Sequence, residues 1–430
     1  MPLLNKVYTI TEFDSFIRSE VPHHSYHSLS NPTFESLKNF VLNNSSDQNS
    51  NGADLFSISI KRGVGEVITA KNYVGLIALK DGTIIEILPK IHNGLGADIG
   101  KSKRVLLNML RFLDDISFKN FEMSNLKTDK ISLFEIFVSM FLQEVVKLTK
   151  QGLRSTYIAI DSNESFIKGK INHIQNIKEN LVHKERTSLR FDDFNLNRAE
   201  NRLIKSTLRY LFTIARSDVN RNTIISLLSL FAEIPYSENY DSDINLCQEN
   251  RSVTHYQKSI LWCKVFLKGN SFTSYSGSDV AIALLFPMEE VFEKFIGKKM
   301  RILCEGDLEV NLQHRKFSLF EEPTRSFFLQ PDIILGKRNK NIVLDTKWKI
   351  LDLNSHNFGI SQADMYQMYA YGKKYNAERV WLIYPLAKDF EHVDISFNSG
   401  DGVIVEVKFV DLLDSDSCIN DLLKTAHILT

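Results

Sequence analysis

Residues Pro331–Ile350 read PDIILGKRNKNIVLDTKWKI. Two apolar runs, Ile333–Leu335 and Ile342–Leu344, flank a polar stretch, so a β-hairpin is expected here. Asp332 opens the first run, and Asp345, Thr346 and Lys347 follow the second. Charges beside a buried strand are costly unless something pairs or uses them. With Lys337 to Lys340 as a four-residue loop, Gly336 faces Asn341, and counting inward sets Asp332 opposite Asp345. Directly opposed side chains have Cβ atoms ~5 Å apart. Two carboxylates so placed repel, which raises one pKa unless a cation sits between them. Lys347 lies two residues past Asp345 and points to the same face.

Two clustered carboxylates with a lysine at their edge suit metal-assisted phosphodiester hydrolysis. Oxygen ligands with open positions favour Mg²⁺ or Mn²⁺. Asp332 and Asp345 are the expected ligands, with the Thr346 carbonyl as a further one. Lys347 then orients water or stabilises the pentacovalent transition state. The bland alternative is a surface Asp–Lys pair beside a turn.

A D/E-x-K tripeptide alone carries little weight, since chance supplies about one or two in a chain of average composition. A rival, Glu406-Val407-Lys408, stands in GVIVEVKFV. With Asn398 to Asp401 as its loop, Glu406 faces Val393, and no second carboxylate arrives. Glu406 and Lys408 are therefore expected on the exposed face of an edge strand.

The rest of the chain sets the bounds. Its 430 residues suit two or three domains, and 43% apolar with 24% charged residues is the composition of a soluble globular protein. No apolar run reaches the ~20 residues of a membrane span, and MPLLNKVYTITEFDSF lacks the pattern of a secretory signal. Cys247, Cys263, Cys304 and Cys418 have no metal-ligand spacing and are expected as reduced thiols, in keeping with a cytoplasmic location. Net charge is zero, but Lys147–Arg221 holds 15 Lys/Arg against 8 Asp/Glu. That segment either contacts phosphate or is a solvated helical surface.

The expected fold class is multidomain α+β. Residues 1–127 read as a β-rich N-terminal domain, a small barrel in outline, with a hairpin at Asp81-Gly82. Residues 128–275 read as a helical linking domain, with SFIKGKINH as a short strand or turn. Residues 276–430 read as an α/β domain that starts with a helix, LLFPMEEVFEKFIGKKMRIL. On that helix Glu289 and Glu293 are four apart and share a face. Either adds a carboxylate to the site, or both form a solvated stripe. Gln367 and Tyr371 share one face of the helix after the hairpin. They hold a phosphate, position Lys347, or simply pack.

At these residues the chain resembles a known family. Pro331-Asp332 and Asp345-Thr346-Lys347 look like the PD-(D/E)xK nuclease core, and Gln367-Met-Tyr-Ala-Tyr371 looks like the Gln-xxx-Tyr helix of one of its branches. VGLIALKDGTIIEILPKI, IKGKI, NRLIKSTL, VLDTKW, SQADMYQMYAY and LIYP are together similar to the McrC family, nuclease subunits of McrBC-type modification-dependent restriction systems. The resemblance implies a Mg²⁺-dependent endonuclease subunit that cuts methylcytosine-containing double-stranded DNA. It implies an N-terminal domain that docks on a McrB-like AAA+ GTPase hexamer and stimulates it. It also implies Asp332 and Asp345 as metal ligands and Lys347 as catalytic, with Glu293 at an acidic position that the family does not always fill. Dimerisation through the nuclease domain is a further expectation, and no membrane is involved. No GxxxxGK[ST] is present, so no nucleotide is expected on this chain. The competing readings are a non-catalytic adaptor of an AAA+ ring and a stand-alone nuclease acting on branched DNA or RNA.

Overall fold

A computed structural model of the protein describes residues 6–45, 55–79, 81–91, 98–113, 131–249, 254–268, 280–306, 308–337, 340–387, 390 and 393–429. By compactness the chain divides into residues 1–133 with 271–430 as one unit and residues 134–270 as a second. In chain order the first unit begins with β1 (Val7–Thr11), β2 (Ser15–Arg18), β3 (His27–Leu29), α1 (Asn31–Ser45), β4 (Phe56–Lys61), β5 (Gly65–Ala70), β6 (Tyr73–Leu79), β7 (Ile84–Leu88) and α2 (Ile99–Leu110). The second unit holds α3 (Leu133–Gln151), β8 (Thr156–Glu164), β9 (Lys170–Ile171), α4 (His173–Glu179), β10 (Thr187–Asn195), α5 (Ala199–Ile214), α6 (Asp218–Leu230), α7 (Tyr240–Glu249) and α8 (Gln257–Lys268). The first unit resumes with β11 (Val280–Pro287), α9 (Met288–Leu303), β12 (Glu309–Leu312), β13 (Ser318–Phe320), β14 (Ser326–Phe328), β15 (Ile333–Lys337), β16 (Lys340–Thr346), α10 (Gln362–Lys374), β17 (Arg379–Pro385), β18 (Ile395–Asn398), β19 (Ile404–Val410) and α11 (Ser415–Leu429).

The N-terminal strands form two open four-stranded sheets, ordered β1-β7-β6-β11 and β3-β2-β5-β4, rather than the small barrel expected. The β6–β7 hairpin turns at Asp81-Gly82 as expected. Gly82 has φ 85°, and the Asp81 carboxylate accepts from the Thr83 N–H at 2.7 Å. The strand that completes the first sheet comes from far along the chain: β11 pairs antiparallel with β6. Gly75 permits that approach, because a Cβ there would lie 1.9 Å from the Leu284 carbonyl oxygen. Leu284–Pro287, expected to begin a helix, is therefore the end of a strand. The helix starts at Met288, after a proline that stands as its N-cap.

The middle region is not wholly helical. β8 and β10 pair antiparallel over nine residues each, with β9 on the far side of β10. Their sequences, TYIAIDSNE and TSLRFDDFN, carry few apolar residues, and Tyr157 and Phe194 remain exposed, so no strong alternation marks them. Part of the basic excess there is already used. Arg202 pairs with Asp243, Arg198 with Glu200, and the Lys205 ammonium donates to the Ala232 and Ile234 carbonyls. The four cysteines are free thiols, and burial pushes Cys247 and Cys263 up to about 12. Among the described residues no helix is long and apolar enough to cross a membrane.

The third large sheet is the mixed six-stranded one, ordered β12-β15-β16-β17-β19-β18. β16, β17 and β19 run parallel; the other pairings are antiparallel. Its two faces are separately covered, as the continuous apolar strands IVL and VWLIY require. Ile334, Val343, Val380 and Leu382 pack on α10 through Met368, Tyr371 and Tyr375. The alternate residues face α9, where Gly297 lies against Leu312 and Ile333. Gly372 lets α10 settle closely on the sheet, since a Cβ there would meet Val403 at 2.6 Å.

Candidate functional site

The hairpin of β15 and β16 pairs Ile333 with Leu344, Ile334 with Val343 and Gly336 with Asn341. One step further inward, that register sets Asp332 opposite Asp345, as counted from the sequence. The turn is tighter than expected, because Lys337 pairs with Lys340 and only residues 338 and 339 lie between them. Both turn lengths give the same register.

Asp345 is the single acidic residue of β16, buried at 2% exposure on the face covered by α10. Asp332 is half-buried, and its Oδ2 accepts from both the amide and the hydroxyl of Thr346, each at 2.7 Å. Burial, and next the nearby charge of Glu293, push Asp332 above the usual carboxylate range. Burial, and next Asp332, push Asp345 up likewise. Two opposed carboxylates in a poorly solvated place cannot both ionise freely.

Lys347 supplies the compensating charge. Its N–H closes the ladder on the Ile383 carbonyl at 2.9 Å. Its Nζ stands 2.7 Å from Asp345 Oδ2 and 3.8 Å from Asp364 Oδ1. It also donates to Gln367 Oε1 at 3.2 Å. Burial favours the neutral amine, but Asp345, Asp364 and Asp332 outweigh it and hold the lysine pKa above its ordinary value. The contact to the buried Asp345 Oδ2 is an ion pair.

Gln367 and Tyr371 lie together beside this lysine. Gln367 Nε2 donates to the Tyr371 hydroxyl at 2.8 Å, and that hydroxyl donates to the Gln330 carbonyl at 3.1 Å. The relay runs from Lys347 through α10 to the residue two before Asp332. Glu293 belongs to α9, on the other face of the sheet, so it approaches only past the strand ends. It accepts from the Gln313 amide, which in turn accepts from Gln330. Glu289, one turn earlier, is exposed and accepts from Asn72 at 3.3 Å. Among the described residues no three His, Cys, Asp or Glu side chains form a ready-made metal centre. The local fit to a divalent cation rests on the opposed Asp332 and Asp345 and on an all-oxygen donor set.

Three contributors were not foreseen from sequence. The Thr346 side chain fixes Asp332, Asp364 flanks Lys347, and the Tyr384 hydroxyl is buried without a hydrogen-bond partner. Asp364 stands three residues before Gln367, so helical spacing could have revealed it. The place of Tyr384 near the site depends on β17 lying beside β16, which no local pattern announces.

The rival tripeptide differs from its expectation. Glu406 faces Ser396, not Val393, because the turn is centred further along, on Asp401 between Gly400 and Gly402, both at positive φ. β19 is an interior strand between β17 and β18, not an edge. Glu406 is only 12% exposed and pairs with Arg379 and, at 2.9 Å, with Lys408. No second carboxylate faces it, as expected.

Comparison with known proteins gives a consistent picture. The chain's fold is similar to that of a chain in the tetradecameric assembly of Thermococcus gammatolerans McrB AAA+ hexamers with bound McrC. That match has 16% identity and a TM-score of 0.70, and covers 98% of this chain and 100% of that one. It is also similar to a chain of the Thermococcus gammatolerans McrBC complex, at 16% identity and TM-score 0.53, covering 69% of this chain and 88% of that one. No curated protein sequence matches. The family model for the McrBC 5-methylcytosine restriction system component matches residues 68–385, a span that takes in the β6–β7 hairpin, Asp332, Asp345, Lys347 and the Gln367 helix. The chain belongs to that family of McrBC restriction system components.

Proposed function

We propose that this chain is the McrC-type nuclease subunit of its system, a PD-(D/E)xK endodeoxyribonuclease of the cytoplasm that uses Mg²⁺ or Mn²⁺ to cut DNA carrying methylcytosine. The observation that supports it most is the in-register opposition of Asp332 and Asp345 with Lys347 two residues on. An adaptor has no use for two carboxylates held at a raised pKa on adjacent buried strands.

Asp332 and Asp345 hold the metal, with the Thr346 carbonyl as a third donor. When bound, the ion supplies positive charge against the phosphate and acidifies water. Lys347 stays protonated, because three carboxylates surround it. It therefore acts as a cation and hydrogen-bond donor toward a phosphate oxygen or the attacking water, not as a base. Gln367 keeps its Nζ at the edge of the site, and Tyr371 keeps Gln367 in place. Thr346 orients Asp332 for the ion.

The same reading makes a McrB-like AAA+ GTPase hexamer the partner, docked on the N-terminal domain and stimulated by it. It is supported by family membership and by the likeness to a chain from an assembly of McrB hexamers with bound McrC. The test is reconstitution of this chain with its AAA+ partner. The isolated chain is expected to hydrolyse no GTP but to raise the partner's turnover. An unchanged partner turnover would remove the docking half of the proposal. Cutting by Lys347→Ala at the wild-type rate would remove the nuclease half.

A further inference from the structure

One of the buried carboxylates outside the site just described is Glu12. Glu12 follows β1 directly and is fully buried, at 0% exposure. Its own N–H donates to the Leu88 carbonyl at 3.0 Å, which fixes its backbone to the end of β7. Its carboxylate accepts from the Lys90 N–H at 3.0 Å. Both its oxygens also accept from the indole Nε1–H of Trp348, at 3.1 and 3.0 Å. Burial pushes the Glu12 carboxyl up to about 7, so these donors only partly compensate it.

Trp348 is the residue after Lys347. Its ring packs on Phe292 of α9 with centroids 5.4 Å apart. Lys347 is where the β16 ladder ends, on the Ile383 carbonyl, and the chain then turns, with the Lys349 N–H donating to the Lys347 carbonyl at 3.1 Å. The sheet therefore does not fix where the chain goes next, and the direction of the Lys347 side chain depends on that exit. Trp348 pins it, and Glu12 pins Trp348. A cavity of about 470 Å³ opens at the same place, lined in part by Glu12, Lys90, Glu289, Lys347, Trp348 and Asp364.

We infer that Glu12 is a positioning residue: by holding the Trp348 indole from the N-terminal sheet, it fixes the chain exit after Lys347 and keeps Nζ between Asp345 and Gln367. The inference rests on the nuclease reading of the site. It also makes the β1–β7 end of the N-terminal sheet a mechanical support of the cutting site, besides any part it has in docking. A carboxylate is suited to the task because it takes the backbone donor and the indole together, which an apolar residue in the same place cannot.

The test uses the full chain reconstituted with its AAA+ partner and methylcytosine-containing DNA, comparing Glu12→Ala, Glu12→Gln, Trp348→Phe, the Glu12→Ala/Trp348→Phe double variant and Lys347→Ala. Trp348→Phe keeps an aromatic ring against Phe292 while removing the N–H donor and part of the ring volume. Expected for Glu12→Ala and for Trp348→Phe is a roughly tenfold fall in the cleavage turnover number. DNA KM and the partner's stimulated GTPase should stay unchanged. The double variant should be no worse than either single one, since both remove one shared contact. Glu12→Gln keeps an oxygen for the indole and should recover part of the loss. The Trp348 indole N–H resonance, one of three in the chain, should move upfield in Glu12→Ala. Wild-type cleavage by Glu12→Ala and Trp348→Phe beside a dead Lys347→Ala overturns the inference and leaves the nuclease reading intact. Parallel loss of cleavage, GTPase stimulation and thermal stability also overturns it, because Glu12 is then only structural. An active Lys347→Ala instead removes the nuclease reading itself.

Discussion

Two Asp/Glu-x-Lys tripeptides stand on either side of β17 in one sheet, and their electrostatics are opposite. Asp345-Thr346-Lys347 meets a second carboxylate across the hairpin, and Asp345 is held above the ordinary carboxylate range by burial and by Asp332. Glu406-Val407-Lys408 meets cations. Burial opposes its ionisation, but Lys408 and Arg379 prevail and hold Glu406 below its ordinary value. Asp345 shares the α10 face with Val343 and Leu382, whereas Glu406 alternates with Val405 and Val407 and so points to the other face. The tripeptide itself decides nothing; what the neighbouring strand sets opposite the acid decides whether it faces a second carboxylate or only cations.

The largest expected effect is on cleavage. Asp345→Ala or Lys347→Ala should lower cutting by the reconstituted complex by roughly 10²–10³ or more. Glu406→Gln and Lys408→Ala should leave it within about twofold, since an ion pair on the far face makes no contact with the site. Equal losses from both tripeptides, measured by nicking of a plasmid substrate, would break the contrast.

Metal affinity comes next. Thr346→Val removes the hydroxyl that holds Asp332 and should weaken Mn²⁺ binding about tenfold by calorimetry, the usual size for an outer partner of a ligand. Glu406→Gln should bind as the wild type does.

Stability should separate the two acids by sign in metal-free protein. The folded pKa of Asp345 is raised above its ordinary value of 3.8. Its favourable contribution is complete below that value and is lost as pH rises through the folded pKa. At pH 8 Asp345→Asn should therefore raise the melting temperature by roughly 2–4 °C, and at pH 4 the gain should shrink. The folded pKa of Glu406 is lowered, so its contribution is present above the ordinary value of 4.5 and lost as pH falls through the folded one. Glu406→Gln should lower the melting temperature at pH 8 by a similar or smaller amount. Shifts of the same sign would contradict the contrast. The smallest effect is expected from Tyr371→Phe, which removes the hydroxyl that accepts from Gln367 and donates to the Gln330 carbonyl, and should slow cutting roughly fivefold with assembly intact.

Much of this was legible because it is local. The Asp332–Asp345 opposition follows from counting across one hairpin, and the Gln367–Tyr371 pair from helical spacing. What was not legible depends on distant chain. β11 completes a sheet begun some two hundred residues earlier, so Leu284–Pro287 reads as helix until Gly75 is seen to receive it. β8 and β10 carry too few apolar residues to declare themselves. The Glu406 register slipped because two glycines centre its turn on Asp401, later than counted, whereas the β15–β16 register survived a wrong loop length because both lengths share one parity and one centre. Glu12 has no signal in sequence at all, since its partner lies at Trp348.

The most direct measurement is Mg²⁺-dependent cutting of methylcytosine-containing DNA by this chain assembled with its AAA+ partner, wild type against Asp345→Asn, with GTP turnover followed in the same reaction. The expected result is cutting by the wild type, none by Asp345→Asn, and equal GTP turnover in both. Cutting by Asp345→Asn at the wild-type rate would contradict the assignment of the opposed carboxylates as the nuclease site.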